Sequence, residues 1–250
     1  MSLPVFFASA PLPARGEHTT LDGAEARHAV TVKRIAAGEH IQLIDGAGRW
    51  AEIAVTETSG KDHLAGEAVA VGECDRPEPY VVVVQALPKA ERSELAVDLA
   101  TQAGADEIIP WQAARCIAKW QGAKRSKGVQ KWQSAAAAAA KQSRRVTVPE
   151  VREPVSTAQL AQLIDGHTAV VLHEEASQPL AQLAPELSGT VFLIVGPEGG
   201  IGDEEVALLR SAGAQPVVLG PQVLRTASAA MVALSVIGAA TSRWCSCSSS

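Results

Sequence analysis

Apolar and polar residues alternate in the first third of the chain and run in blocks in the remainder. Ile41-Gln-Leu-Ile-Asp-Gly46, Arg49-Trp-Ala-Glu-Ile-Ala-Val55 and His63-Leu-Ala-Gly-Glu-Ala-Val-Ala-Val71 approach a period of two, with Asp-Gly and Ser-Gly turn signals between them. Such alternation predicts antiparallel strands with one buried face, here preceded by a short helix from about Ala24, and points to a small antiparallel barrel. After the proline-rich Asp75-Arg-Pro-Glu-Pro79 the pattern changes: Tyr80-Val-Val-Val-Val-Gln-Ala-Leu87 is apolar on both faces and predicts a fully buried strand. Helix-like and strand-like segments then alternate. A helix is expected from Lys89 to Gly104, a strand over Ala105–Pro110, an alanine-rich helix over Val129–Ser143 and a strand over Thr168–His173. This order predicts an α/β domain on a parallel sheet. The alanine run 135–140 is helix filler without chemistry.

The most informative stretch is Thr190-Val-Phe-Leu-Ile-Val-Gly-Pro-Glu-Gly-Gly-Ile-Gly-Asp-Glu-Glu-Val206. It reads as a buried strand, a glycine-rich turn and the acidic start of a helix, where carboxylates complement exposed N–H groups. Open α/β sheets bind ligands beyond the carboxyl ends of their strands, and glycines there let backbone approach a ligand closely. The spacing is neither G-x-G-x-x-G nor a Gly-Lys-Ser/Thr loop, and Glu198 with Asp203, Glu204 and Glu205 would repel phosphates. An uncharged or cationic small molecule suits it better, although the segment by itself also reads as a plain connector.

A second apolar strand, Pro216-Val-Val-Leu-Gly220, ends in Pro221-Gln-Val-Leu-Arg-Thr-Ala-Ser-Ala-Ala230 and an apolar helix. The pair Gly-Pro-Glu-Gly-Gly-Ile-Gly and Leu-Gly-Pro-x-Val-Leu-Arg-Thr resembles the SPOUT class of methyltransferases. Within it the chain is most similar to the RsmE-type family, which methylates N3 of a uridine in small-subunit ribosomal RNA. Ala86-Leu-Pro-Lys-Ala-Glu-Arg92, Ala103-Gly-Ala-Asp-Glu-Ile-Ile-Pro110 and Gln142-Ser-Arg-Arg-Val-Thr-Val-Pro149 stand in the family's order, and Arg27-His-Ala-Val-Thr-Val-Lys-Arg34 with its continuation to Gly46 resembles the opening of its PUA-like RNA-binding domain. The resemblance covers about residues 5 to 243.

What the resemblance implies is an N-terminal PUA-like β-barrel over residues 1–74, a linker at 75–79, and a C-terminal α/β SPOUT domain over 80–243. That domain has a parallel sheet, with a trefoil knot from roughly Leu219 onward, and a disordered tail follows at 244–250. It implies S-adenosylmethionine held by backbone groups of three loops: Leu172, His173 and Glu174; Val195, Gly196, Pro197, Glu198, Gly199 and Gly200; and Leu219, Gly220, Val223, Leu224, Arg225 and Thr226. It implies a homodimer acting on 16S ribosomal RNA or the small ribosomal subunit. Candidate RNA contacts are Arg27, His28, Lys33, Arg34, Lys89, Arg92, Arg115, Lys124, Arg125, Lys127, Arg144 and Arg145. No metal is expected.

Charge supports an RNA partner independently. The whole chain carries 22 Lys+Arg against 27 Asp+Glu, yet Ile108–Pro149 holds no acid and nine basic residues, Arg115, Lys119, Lys124, Arg125, Lys127, Lys131, Lys141, Arg144 and Arg145. The remainder therefore carries 13 − 27 = −14. Positive potential is concentrated in one region, and Trp111, Trp120 and Trp132 within it are candidates for stacking on unpaired bases. Hydrophobic residues at 47% and charged ones at 20% describe a globular chain of one large or two small domains. No run approaches membrane-spanning length, and the start lacks the basic region of a signal peptide. Cysteines 74, 116, 245 and 247 lack metal-ligand spacing and read as reduced thiols, so a cytoplasmic location is expected.

For chemistry, N3 of uracil must lose a weakly acidic proton. A guanidinium beside a ring carbonyl would stabilise the developing charge, and Arg225 is the candidate; clamping a phosphate is the alternative role. The chain departs from the family pattern at Val5, Lys141 and Ala227-Ser228, where many members carry Arg, Glu and Glu-Thr, so no carboxylate base carries over. Ribose 2′-O methylation and a non-catalytic RNA-binding role in ribosome assembly stand as alternatives.

Overall fold

The computed structural model describes residues 3–244, and the chain divides into two compact units. One comprises residues up to Asp75 together with 140–148; the other comprises 76–139 and the segment from Pro149 onward.

The first unit opens with β1 (Val5–Phe7), β2 (His18–Asp22) and a short α1 (Gly23–Arg27) that runs into one π-helical turn, His28–Val32. Three strands follow as expected: β3 (His40–Ile44), β4 (Arg49–Ser59) and β5 (His63–Glu73). They form a five-stranded half-barrel in the order β1-β3-β4-β5-β2. The pairing is mixed rather than wholly antiparallel, because β1 runs parallel to β3. Every second residue of the alternating segments lies inward, so Ile41, Leu43, Ala51, Ile53, Val55 and Leu64 pack with Phe6, Leu21, Ala26 and Ala29.

The second unit begins with β6 (Tyr80–Ala86), α2 (Ala90–Gln102) and β7 (Glu107–Trp111). Helix α3 (Ala123–Gln142) starts at Ala123 instead of Val129, directly after Gly122, whose φ of +53° breaks the preceding backbone. Next come β8 (Glu150–Val151), α4 (Thr157–Ile164), β9 (Thr168–Leu172), α5 (Leu180–Leu183), β10 (Thr190–Val195), α6 (Asp203–Ser211), β11 (Gln215–Val217) and α7 (Thr226–Ala240). The strands make one parallel sheet in the order β11-β9-β10-β6-β7-β8. Val81–Val84 and Val191–Val195 are buried throughout, the expected outcome for strands covered on both faces. Helix α4, which the apolar pattern alone did not single out, is closed by a capping box: Gln159 N donates to Ser156 Oγ (3.3 Å) and Ser156 N to Gln159 Oε1 (2.9 Å).

Helix α7 leaves the edge strand β11 and packs on α2, β10 and β6 near the middle of the sheet. Its end is clasped by Arg243. That guanidinium donates to Asp106 Oδ2 (2.7 Å) and to the carbonyls of Pro79 and Gly104, while Val81 N donates to the same Asp106 oxygen (2.7 Å). The tail expected at 244–250 falls, apart from Trp244, outside the described residues.

Candidate cofactor and RNA site

The expected ligand loops leave the carboxyl ends of β9, β10 and β11, three strands linked through β9. His173 N donates to Val217 O (3.0 Å), Val218 N to Gln178 O (2.9 Å) and Leu180 N to Val218 O (2.9 Å), tying the loop after β9 to the exit of β11. His173 Nδ1 accepts from Glu175 N (3.3 Å). Leu172 and His173 are half-buried and Glu174 exposed, whereas Val195 and Pro197 are buried under exposed Glu198, Gly199 and Gly200.

The glycines differ in what they permit. A Cβ on Gly196 would come within 2.7 Å of the Ile201 side chain, so that glycine is demanded by packing inside the turn. On Gly199 a Cβ would meet only Arg115 atoms, at 3.4 to 4.0 Å, and Gly200 has a φ of +73°. Only Arg115 comes within contact distance of these two positions.

Glu205 organises this turn, a larger role than the favourable charge at a helix start that the sequence implies. Its Oε1 accepts from Thr157 Oγ1 (2.6 Å) and Ala114 N (3.0 Å), and its Oε2 from Gly202 N (3.3 Å). Thr157 Oγ1 in turn accepts from Trp111 Nε1 (3.1 Å). One half-buried carboxylate thus joins the end of β7, the start of α4, the segment after β7 and the glycine turn; hydrogen bonds to a charged acceptor are roughly twice as strong as neutral ones. Glu198 also has a partner within the chain, since its Oε1 accepts from Lys89 N (3.1 Å) at the start of α2. The sequence signal for these roles was only that acids surround the loop; their partners are remote in the chain.

In the last loop, Leu219 and Gly220 are half-buried, while Val223 is 77% and Leu224 37% exposed. Thr226 is buried at the first turn of α7. Arg225 precedes that helix in an extended conformation (φ −68°, ψ 142°), and its carbonyl accepts from Ser228 N and Ala229 N at 2.9 and 3.1 Å. Its side chain is exposed and makes no ion pair or hydrogen bond among the described residues. Close by in the sheet, Gln85 pairs in register with Val195 and is 1% exposed. Its Nε2 donates to Ala86 O (3.0 Å), but its Oε1 is buried without a hydrogen-bond partner among the described residues. Such an orphaned acceptor costs stability.

The acid-free stretch is less free than its composition indicated, because acids from elsewhere in the chain reach it. Arg125 Nε meets Glu153 Oε2 at 2.6 Å, Lys131 meets Glu94 at 3.4 Å and Lys141 meets Glu25 at 2.7 Å. Lys119, Lys124 and Lys127 are exposed and have no such partner among the described residues. Two of the three tryptophans are not free to stack on bases as expected. Trp111 and Trp132 are fully buried, Trp132 Nε1 donates to Ser93 Oγ (2.8 Å), and half-buried Trp120 lies edge-on to Trp132 at 5.1 Å, over Gly128. Apolar area outweighed stacking potential here: a ring buried in a core is worth kilocalories.

Of the other expected RNA contacts, Arg27, Lys33 and Arg34 are exposed, whereas His28 is half-buried and edge-on to Phe6. Burial, followed by the nearby Lys141 ammonium, pushes the His28 pKa below its ordinary value. Lys89 and Arg144 are exposed and Arg92 and Arg145 half-buried; Arg145 donates to Thr147 Oγ1 (3.1 Å). Lys141, a departure from the family pattern, finds its role in the Glu25 pair within the first unit. Val5 and Ala227, two further departures, are buried.

A salt titration tests which cations touch RNA. Replacing Lys124, Arg125 and Lys127 together by alanine is expected to weaken RNA binding and flatten its salt dependence. Each phosphate that is no longer neutralised lowers the slope of log K against log salt by about 0.7–0.9. With Arg125 held by Glu153, the double variant Lys124→Ala/Lys127→Ala should account for most of the change. An unchanged slope would assign these lysines to solvent.

Comparison with known proteins defines the class: residues 76–238 match the family described as an RNA methyltransferase domain, and residues 21–68 match the RNA methyltransferase PUA domain. Ribosomal RNA small subunit methyltransferase E of Mycobacterium tuberculosis is 47% identical over 238 residues, covering 93% of this chain and 90% of that protein. The chain belongs to the ribosomal RNA small subunit methyltransferase E family. Among solved structures, a Legionella pneumophila chain in complex with the cofactor SAM is similar at a TM-score of 0.81 and 30% identity, covering 96% of this chain and 98% of that one. The Neisseria gonorrhoeae ribosomal RNA small subunit methyltransferase E, bound to S-adenosyl methionine, shares the fold at a TM-score of 0.82 and 24% identity, with 95% and 98% covered.

No helix among the described residues is long and apolar enough to cross a membrane, and among them no group of three or more His, Cys, Asp or Glu side chains could hold a metal.

Proposed function

We propose that this chain methylates N3 of a uridine in 16S ribosomal RNA, using S-adenosylmethionine. The observation that carries the reading is the 47% identity to a ribosomal RNA small subunit methyltransferase E over 93% of this chain, which retains the glycine turn after β10 and an Arg225 that is exposed and unpaired among the described residues. The residues present suit the cofactor. Only Arg115 approaches Gly199 and Gly200, Val223 and Leu224 offer apolar surface, and no lysine-bearing phosphate loop competes. Bound there, S-adenosylmethionine supplies an activated sulfonium methyl group.

Backbone groups of Leu172–Glu174, Val195–Gly200 and Leu219–Thr226 hold that cofactor. The Arg225 guanidinium faces a uracil carbonyl oxygen and stabilises the charge that develops as N3 loses its proton. Residues 1–74 act as the RNA-binding domain, 75–79 as the linker and 80–243 as the catalytic domain. The segment from Leu219 threads a preceding loop as a trefoil knot. This is supported by the return of α7 from the sheet edge to its middle, though physics disfavours knots in general. The enzyme acts in the cytoplasm as a homodimer, a reading supported by exposed Val223 and Leu224 beside the site.

The direct test uses small-subunit RNA from cells lacking the gene, treated with purified protein and S-adenosylmethionine and digested for mass spectrometry. A single 3-methyluridine is expected; a ribose 2′-O-methyl product or no product would refute the assignment. The loop assignment has its own test. Gly199→Val is expected to abolish cofactor binding in calorimetry and leave the melting temperature nearly unchanged, since its Cβ meets only Arg115 at ordinary contact distance. Undiminished affinity in that variant would remove the turn from the cofactor site.

A further inference from the structure

The segment between β7 and α3 lies on the glycine turn, and one of its cations reaches the turn itself. Arg115 Nη1 donates to the carbonyl of Gly199 (3.3 Å), and a Cβ on Gly199 would touch only Arg115. The backbone beneath Arg115 is held in place from both sides. Ala114 N donates to Glu205 and Trp120 N to Gln112 Oε1 (2.9 Å), and the Cys116 thiol is buried against Trp111 O at 3.8 Å. The side chain of Arg115 is nevertheless exposed, as is Ile117 beyond it, at 72%. A guanidinium has five N–H donors, of which Gly199 takes one. The remaining donors open to solvent on the same segment that leads to exposed Lys119, Lys124 and Lys127. Two acids of the glycine turn and the helix after it are engaged: Glu205 with three donors, and Glu198 with Lys89 N.

We infer that Arg115 is a positioning residue that couples the two substrates, bridging an RNA phosphate to the carbonyl of Gly199 and so ordering the cofactor turn when RNA is present. This rests on the cofactor and RNA assignments made above. The physical basis is side-chain entropy. An exposed arginine is among the costliest side chains to immobilise, and its hold on an exposed glycine carbonyl at 3.3 Å is loose. A phosphate paired with the outer face of the guanidinium immobilises it once for both partners, so the turn is already ordered for the second ligand. Coupling of this kind is reciprocal: RNA tightens cofactor binding and cofactor tightens RNA binding by the same factor. A factor of about tenfold lies in the usual range.

The test measures binding of S-adenosylhomocysteine, which cannot transfer a methyl group, by equilibrium dialysis with and without saturating 16S RNA transcript. The wild type is expected to bind it about tenfold more tightly with RNA, and RNA in turn more tightly with S-adenosylhomocysteine. In Arg115→Ala both ratios should fall to near one, with cofactor affinity in the absence of RNA changed by less than about threefold, because only one loose hydrogen bond is removed. Arg115→Lys should recover RNA affinity but only part of the ratio, since a point charge cannot bridge two acceptors as a planar fork does. A wild-type ratio of one, or a ratio unchanged in Arg115→Ala, overturns the coupling while leaving the cofactor site intact. A wild type that binds no S-adenosylhomocysteine in either arm refutes the cofactor assignment, and the coupling with it.

Discussion

Arg225→Lys is expected to lower turnover by about a hundredfold, at the lower end of what removal of one preorganised donor costs, while cofactor affinity changes little. The side chain is free to act, being exposed and unpaired among the described residues, and the helix start it precedes holds its backbone through Ser228 N and Ala229 N. Lysine retains the charge and loses the planar fork, so an interaction that depends on fork geometry weakens most where charge develops. The loss should shrink as pH rises. Near the pKa of a free uridine-like imide, about 9, N3 deprotonates without help, and the variant's single-turnover rate should climb towards that of the wild type. A constant ratio across the pH series would make Arg225 a phosphate clamp or positioning group.

The largest effect on stability is expected at Arg243. Its guanidinium and the Asp106 carboxylate are each 5% exposed, and the pair is tied into the Pro79 and Gly104 carbonyls and Val81 N. Arg243→Ala leaves a buried carboxylate without its cation and frees two carbonyls. Breaking such a pair costs about 3–5 kcal/mol. Urea denaturation should show a lower midpoint with little change in slope. Removing both charges, as Arg243→Met with Asp106→Asn, should recover much of the loss, because the penalty lies mainly in the uncompensated charge rather than in the pair. A loss below about 1 kcal/mol in the single variant, the value typical of an exposed pair, would show that the clasp adds no more stability than a surface contact.

The periodicities carried the architecture. Alternation over 41–71 and the unbroken apolar runs at 80–87, 168–173 and 190–195 each became strands, because burial of one face or of both leaves a local mark on composition. The glycine turn after β10 left a local mark too, because a Cβ on Gly196 would come within 2.7 Å of Ile201, which restricts that position to glycine. Weak local signals did not show through. Strand β1 spans three residues and exists through its parallel pairing with β3, and α3 begins where Gly122 allows rather than where the apolar pattern starts.

Side-chain partnerships were beyond local reading. The acid-free stretch was a fact of sequence, but its effective charge depended on Glu153, Glu94 and Glu25, which only folding delivers to Arg125, Lys131 and Lys141. Three tryptophans in a basic segment carried no mark of which way they face, and tertiary packing turned Trp111 and Trp132 inward. Glu205, one acid among three in a row, became the junction of Thr157, Ala114 and Gly202, and Arg115 came to rest on Gly199. Sequence by itself determined which strands are buried and where a turn requires glycine, since these follow from residue type and spacing. Only the tertiary structure decided which charges are spent and which remain for a ligand, because Coulombic and hydrogen-bond partners are chosen by proximity in space.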